Sequence, residues 1–302
     1  MQMPPAIPHS FTHMFRMSYR LKFLSGILVA VAFTSCAGPN SWVGYKDTRP
    51  QGPAPQPGYA LKYERYGHQT TTYMVARIAG FEYPRATRLS HFSQAPDDLA
   101  FRYSATAVAI WGSVPPFWGY RHRIVSVLHS LHGGDADGVT NRRKTLHNLV
   151  SASVRAGESN DWQTGFLVHA FGDSYAHVKP GPVKDTEVAY REGVGHGFDF
   201  GKVKPDVISA HSGTYKTYVN SLYSSLATEK GSKVELDRFL KTVEAAVAAP
   251  EDVREQKVEE AITHFQPFDE PISERPPAKL SAKWNKEIKG VDAFLRQVDK
   301  EL

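Results

Sequence analysis

Sulfur chemistry is nearly absent from this sequence: of 302 residues one is a cysteine, Cys36. A disulfide framework needs cysteine pairs and a thiolate zinc site needs several thiols, so both are excluded. Any metal must be held by His, Asp and Glu. Long apolar runs are missing too, since the most apolar stretch, residues 23–33, falls far short of the ~20 residues that span a bilayer. There is no internal repeat and no block of Lys and Arg. The formal net charge of +5 owes much to Arg16, Arg20 and Lys22; beyond residue 35 the chain holds 33 Lys and Arg against 31 Asp and Glu. That balance argues against nucleic acid as a partner.

What stands at the start of the chain is an export pattern. A basic flank precedes a short apolar core that ends in small residues, the order of a secretory signal, with Met14 or Met17 as its natural start. The run closes on Phe33-Thr34-Ser35-Cys36. This resembles the lipobox of bacterial lipoproteins, with Phe33 where Leu is usual. The resemblance implies cleavage before Cys36, acylation of its thiol, and a lipid-anchored protein of the bacterial cell envelope. A free thiol beside an ordinary cleavage site is the alternative.

Residues 1–35 are therefore expected to be a signal peptide and 36–60 a flexible tether, within which 50–57 is rich in Pro, Gly and Gln. After the tether the apolar spacing is mostly helical. Helices are expected over 66–79, stopped by Gly80; over 84–95, ending at Pro96; over 122–132, 141–156 and 161–178, the last with Asn160 or Asp161 as N-cap; and over 207–226, 233–248 and 252–265. Residues 103–120, with two prolines, read as a loop or short hairpin. Their Trp111, Phe117, Trp118 and Tyr120 suit loop packing, a pocket wall or a membrane contact. Residues 180–205 read as a glycine-rich loop. A Pro-rich connector, 267–277, precedes an amphipathic helix over 280–302 that is expected to dock on its own domain. The fold class is mainly α: a single multi-helix domain over 61–266 with a short loop or hairpin insertion, followed by the connector and C-terminal helix over 267–302.

The chemistry concentrates in His169-Ala-Phe-Gly-Asp173-Ser-Tyr-Ala-His177. A step of four along a helix advances the azimuth by about 40° beyond a full turn, so the three polar side chains form one slanted stripe. Two imidazoles and a carboxylate inside an apolar segment ask for a pairing partner or a cation. Further candidate ligands fall at helix edges: His68, Asp97 and Asp98, His129 and His132, then His196, Asp199 and Asp206. They outnumber what one zinc needs, and adjacent divalent ions bridged by a carboxylate are the usual means of phosphodiester hydrolysis. Gly172-Asp173-Ser174 also invites a serine-hydrolase reading. That signature needs a strand before it and a C-terminal Asp-x-x-His, whereas Ser174 lies in a helical pattern and His264 has Ala261 three residues earlier.

The string His169-x-x-x-Asp173-x-x-Ala-His177 resembles the helix motif of zinc-dependent phospholipase C, of the single-strand-specific zinc nucleases, and of a wider group of bacterial phospholipase C-like proteins. Ser93-Gln94-Ala95-Pro96-Asp97-Asp98 resembles that group's upstream acidic motif; Gly195-His196-Gly197 with Pro205-Asp206 resembles its downstream one. The likeness covers roughly residues 68–226. It implies a phospholipase C-like domain with one to three zinc ions. His169 and Asp173 would ligate a central zinc, Asp173 bridging to a second ion held by His68. Asp97 or Asp98 would complete the central site and serve as general base, with His129 or His132 as its remaining ligand. His177 and His196, helped by Asp199 or Asp206, would hold a third. The chain departs from the family in two places: no tryptophan opens the mature chain, and His196 is followed by a loop rather than by a helical His-x-x-x-Glu pair. The implied activity is hydrolysis of a phosphate ester or phospholipid by metal-activated water. The alternative is a non-catalytic envelope protein, binding or structural, that keeps the fold and one metal.

Overall fold

A computed structural model describes residues 65–192, 207–267 and 276–302, and these are mainly α. A π-helical turn, Tyr66–Thr70, runs directly into α1 (Thr71–Ile78), and α2 (Tyr83–Asp98) follows with Pro84 in its first turn. Three short helices come next, α3 (Ala100–Tyr103), α4 (Ala105–Trp111) and α5 (Trp118–His122), the last feeding a second π turn, Arg123–Leu128. α6 (Ala136–Arg155) is capped by Asp135, whose carboxylate accepts from Gly138 N–H at 2.9 Å, the expected device for an orphan donor at a helix start. α7 (Asp161–Ala176) leads into a small antiparallel hairpin, β1 (Val178–Pro180) with β2 (Glu187–Ala189), in which Val178 faces Ala189. The chain then forms α8 (Ser212–Leu226), α9 (Lys233–Val247), α10 (Glu251–Thr263), α11 (Ala278–Asn285) and α12 (Val291–Glu301).

α7 is the axis of the core. Every one of its residues except Gln163 is buried, so it lacks the polar face of a surface helix. α2, α6 and α8 surround it. Phe166, Val168 and Phe171 are fully buried there, each contributing about 1.5–3 kcal/mol by removal of apolar surface from water. The approach of α2 depends on Gly165: a Cβ at that position would lie 2.3 Å from the Phe92 Cβ and 2.7 Å from the Phe92 carbonyl carbon. Only a residue without a side chain lets the two backbones meet, and this contact brings the carbonyl of Ser93 over α7.

Four local expectations change. α2 continues through Pro96 to Asp98 rather than ending before the proline, because a proline in the last turn withdraws only one donor. Residues 103–120 are not a hairpin: Ala105, Ala107 and Ala109 carry enough helix propensity to form α4, and the two prolines interrupt only the turn before α5. The hairpin instead lies just after α7, in part of the expected glycine-rich loop. The single helix expected over 280–302 is two, α11 and α12, separated where Gly290 takes φ +68°. Among the described residues no helix is long and apolar enough to cross a membrane.

Candidate metal centre

Five of the candidate ligands converge beside the middle of α7, and a sixth, His177, adjoins them at its C-terminal end. His68 comes from the first π turn, Asp97 from the last turn of α2, His129 from just after the second π turn, and His169, Asp173 and His177 from α7 and its C-cap. All six are buried, with exposures between 0 and 4%. Donor atoms of His129, His169 and Asp173 lie within 4.8 Å of one another, as do those of His68, Asp97 and His169.

Backbone geometry sets the orientation of each imidazole. His169 Nδ1 lies 2.9 Å from the Ser93 carbonyl, His129 Nε2 2.7 Å from the Tyr103 carbonyl, and His177 Nδ1 2.7 Å from the His129 carbonyl. A carbonyl oxygen only accepts, so each of these nitrogens carries the proton and donates. In the neutral imidazole the opposite nitrogen is bare. This is the arrangement by which metal-ligating histidines are held in one tautomer.

The bare atoms meet. His129 Nδ1 and His169 Nε2 are 3.1 Å apart; Asp173 Oδ2 is 3.0 Å from the first and 3.3 Å from the second. A hydrogen bond needs one donor and one acceptor, and three mutually adjacent atoms cannot be assigned donor and acceptor so that all three edges are satisfied. One proton leaves an acceptor facing an acceptor; two leave a donor facing a donor. A cation capping the triangle satisfies all three edges together. Donors about 2.0–2.2 Å from a tetrahedral zinc ion stand ~3.3–3.6 Å from each other, so the three atoms need spread by only a few tenths of an ångström to hold one.

Asp173 presents its other oxygen, Oδ1, to His68 Nε2 at 3.1 Å, while His177 Nδ1 is 3.7 Å from Oδ2. One carboxylate thus addresses two groups of imidazoles. Burial alone would raise Asp173, but His177, His169 and His68 around it and the His129 bond hold it well below the usual carboxylate range. Burial would lower His169, yet Asp173 and then Asp97 outweigh it and the pKa rises. Burial and the neighbouring His169 lower His68, whose ring stacks on that of His169 with centroids 4.2 Å apart.

Local strain accompanies the placement of His129. Ser130, the next residue, has φ +52°, and its hydroxyl donates to the Ala170 carbonyl of α7 at 2.8 Å. Such a positive φ in a residue other than glycine persists only when its surroundings enforce it.

Other candidates lie elsewhere. Asp98 faces outward and is paired with Arg65, its oxygens 2.9 and 3.0 Å from one guanidinium nitrogen. His132 turns its Nδ1 to accept from Gly134 N–H at 3.1 Å; burial, with Arg142 and Arg143 nearby, lowers its pKa to about 4. The structure therefore brings Asp97 rather than Asp98, and His129 rather than His132, to the cluster. His196, Asp199, Asp206, the tether and Cys36 lie outside the described residues. Sequence reasoning missed the carbonyls of Ser93 and Tyr103 as orienting groups. It also missed Tyr218, a fully buried tyrosine of α8 whose hydroxyl packs near Gly172 and whose pKa burial drives upward. Backbone acceptors leave no trace in residue identity, and Tyr218 falls in an ordinary apolar period.

Comparison of the chain with protein-family models, with curated proteins and with solved structures finds no match.

Proposed function

We propose that this protein is a lipid-anchored, zinc-dependent phosphoric-ester hydrolase of the phospholipase C-like type. The observation that carries the reading is the triangle of His129, His169 and Asp173, three polar atoms 3.0–3.3 Å apart whose three edges no arrangement of protons satisfies together. His129, His169 and Asp173 would hold the central ion, with Asp173 Oδ1 and His68 directed to a second. Zinc in such a site acts as a Lewis acid on a phosphoryl oxygen and acidifies water.

The chain's own groups have separable tasks. Asp97, 4% exposed and beside His68 and His169, is the carboxylate suited to accept the proton of the attacking water. Asp98 is unsuited to it, being engaged by Arg65. The carbonyls of Ser93 and Tyr103 keep the imidazoles oriented through turnover. A cavity of about 440 Å³ is lined by Gly133, Gly134, Lys179, Tyr190 and Arg191 among others, and Tyr190 N–H donates to the His177 carbonyl at 3.1 Å. Its carboxylates are engaged, Asp135 in capping α6 and Glu192 by Arg121 and His122. Lys179 and Arg191 supply the cationic groups of the lining, beside the carboxylates of Asp135 and Glu192.

One observation favours the second reading, a non-catalytic envelope protein with a structural metal: all six candidate ligands are at most 4% exposed, and closed sites are typical of structural zinc. Metal analysis of the purified chain, with hydrolysis of a phosphodiester and of phosphatidylcholine, separates the cases. The hydrolase reading expects at least one zinc per chain, lost in His169→Ala and Asp173→Asn, and turnover that a chelator abolishes. Zinc binding and chelator-sensitive melting without turnover would support the structural role. Less than one zinc per chain, unchanged by either substitution, would overturn both.

A further inference from the structure

Backbone carbonyls orient the imidazoles of His129, His169 and His177. His68 is placed differently. Its Nε2 faces Asp173 Oδ1 at 3.1 Å, and Nδ1, on the other side of the ring, lies next to Gly172 of α7. A Cβ at Gly172 would stand 3.3 Å from His68 Nδ1 and 3.2 Å from the hydroxyl oxygen of Tyr218. The glycine therefore leaves one narrow space, clear of any side chain of its own, that both polar atoms border.

Tyr218 is fixed by its ring rather than by its hydroxyl. The ring is fully buried, edge-on to Phe171 with centroids 5.9 Å apart and tilted against Tyr175 at 5.6 Å. Its hydroxyl has no hydrogen-bond partner at ordinary geometry among the described residues, and neither has the fully buried hydroxyl of Thr72 in α1. The two are neighbours of each other and of the cluster: burial and then Tyr215 drive the Tyr218 pKa upward, Thr72 opposes them, and Asp173 adds to the rise. A phenol in this setting stays neutral, able both to accept and to donate. A buried hydroxyl without a partner costs stability that phenylalanine, filling the same space, would not, so its presence calls for a reason.

Metal ligation would supply one. An imidazole that gives Nε2 to a cation keeps its proton on Nδ1, and ligating histidines pass that N–H to an acceptor that fixes the ring.

We propose that Tyr218 is the positioning residue of His68: its oxygen accepts from His68 Nδ1–H, and its own proton is donated to Thr72 Oγ1, when His68 Nε2 and Asp173 Oδ1 hold a divalent metal ion. The proposal rests on the metal centre described above. It makes His68 the one imidazole of the cluster whose orientation depends on a side chain, which a single substitution removes.

The test is a zinc titration of the full chain against a competing chelator, with melting of the metal-free chain alongside. Tyr218→Phe keeps the ring, so the metal-free Tm should be equal or higher, while zinc affinity should fall about tenfold or more. Thr72→Val, of the same shape, should give a smaller fall in the same direction, and it carries the test where Tyr218→Phe fails to fold. In a His68→Ala background Tyr218→Phe should lower zinc affinity no further, whereas a tyrosine with a merely structural role would add its full effect. A wild-type chain that binds zinc, with affinity unchanged in the folded variants or with additive losses in the double variant, would overturn this proposal and leave the metal centre standing. A wild-type chain that binds no zinc would overturn both.

Discussion

Substituting alanine for Gly165 separates helix propensity from packing at the point where α2 crosses α7. An added Cβ would stand 2.3 Å from the Phe92 Cβ, 2.7 Å from its carbonyl carbon and 2.9 Å from the Ser93 nitrogen. Carbon atoms in contact prefer about 3.5–4 Å, so the helices must part by roughly 1 Å. Two of the three atoms are backbone, which no rotamer change can move aside. Overpacking of this kind costs about 1–3 kcal/mol or more, against which alanine returns about 1 kcal/mol of helix propensity. A net loss of about 2 kcal/mol lowers the Tm of a domain this size by about 4–8 °C. The same displacement carries the Ser93 carbonyl away from His169 Nδ1, now 2.9 Å distant, and loss of such an orienting bond weakens metal binding by about 10–100-fold. Thermal melting with and without zinc, together with zinc titration against a competing chelator, reads both effects. Gly213→Ala in α8 is the control, since a Cβ there meets nothing within 4 Å; it should keep the propensity gain, raising the Tm by up to about 2–4 °C, and leave zinc affinity unchanged. An unchanged or higher Tm in Gly165→Ala, with unaltered zinc affinity, would refute the reasoning.

Chelation should destabilise the wild-type chain: zinc at a hundred times its Kd adds about 2.7 kcal/mol to the folded state, so EDTA should lower the Tm by about 5–10 °C and His169→Ala should abolish the difference, as followed by calorimetry. The lowered pKa of His132, about 4 against 6.5, keeps its ring neutral in the fold. Its contribution to stability is therefore complete above pH 6.5 and lost as the pH falls towards 4, and His132→Asn should flatten that part of a Tm profile. Arg143 donates to Glu187 at 2.7 Å and to the Ser174 carbonyl at 3.1 Å, with its guanidinium 4.1 Å from the Tyr175 ring centre. Lysine cannot make all three contacts, so Arg143→Lys should cost about 1–2 kcal/mol in a urea titration.

The helices were legible where an apolar period ran uninterrupted, as in α6, α8 and α9, and the stripe of His169, Asp173 and His177 followed from a spacing of four. Tertiary choices were not. Asp97 and Asp98 are adjacent and chemically identical; what separates them is that α2 turns one toward α7 and the other toward Arg65. His129 differs from His132 because the π turn and the positive φ of Ser130 direct only the first inward. The alanines of α4 formed a helix ahead of the two prolines, which break the chain only after Trp111, a local propensity that a reading by turn residues alone passes over.

The two wide turns bear on how the site tolerates change in chain length. A π turn holds one residue more than its α-helical equivalent, and one precedes or contains each of His129 and His68. Deleting a single codon within 66–70 would let the segment rewind as ordinary helix, a change that most helix starts absorb. Here it would swing His68 by about 100° relative to the residues after it, away from the Asp173 oxygen it faces at 3.1 Å. The number of residues in these two turns is tied to the geometry of the cluster, so a single insertion or deletion there would disperse the candidate ligands more than many substitutions.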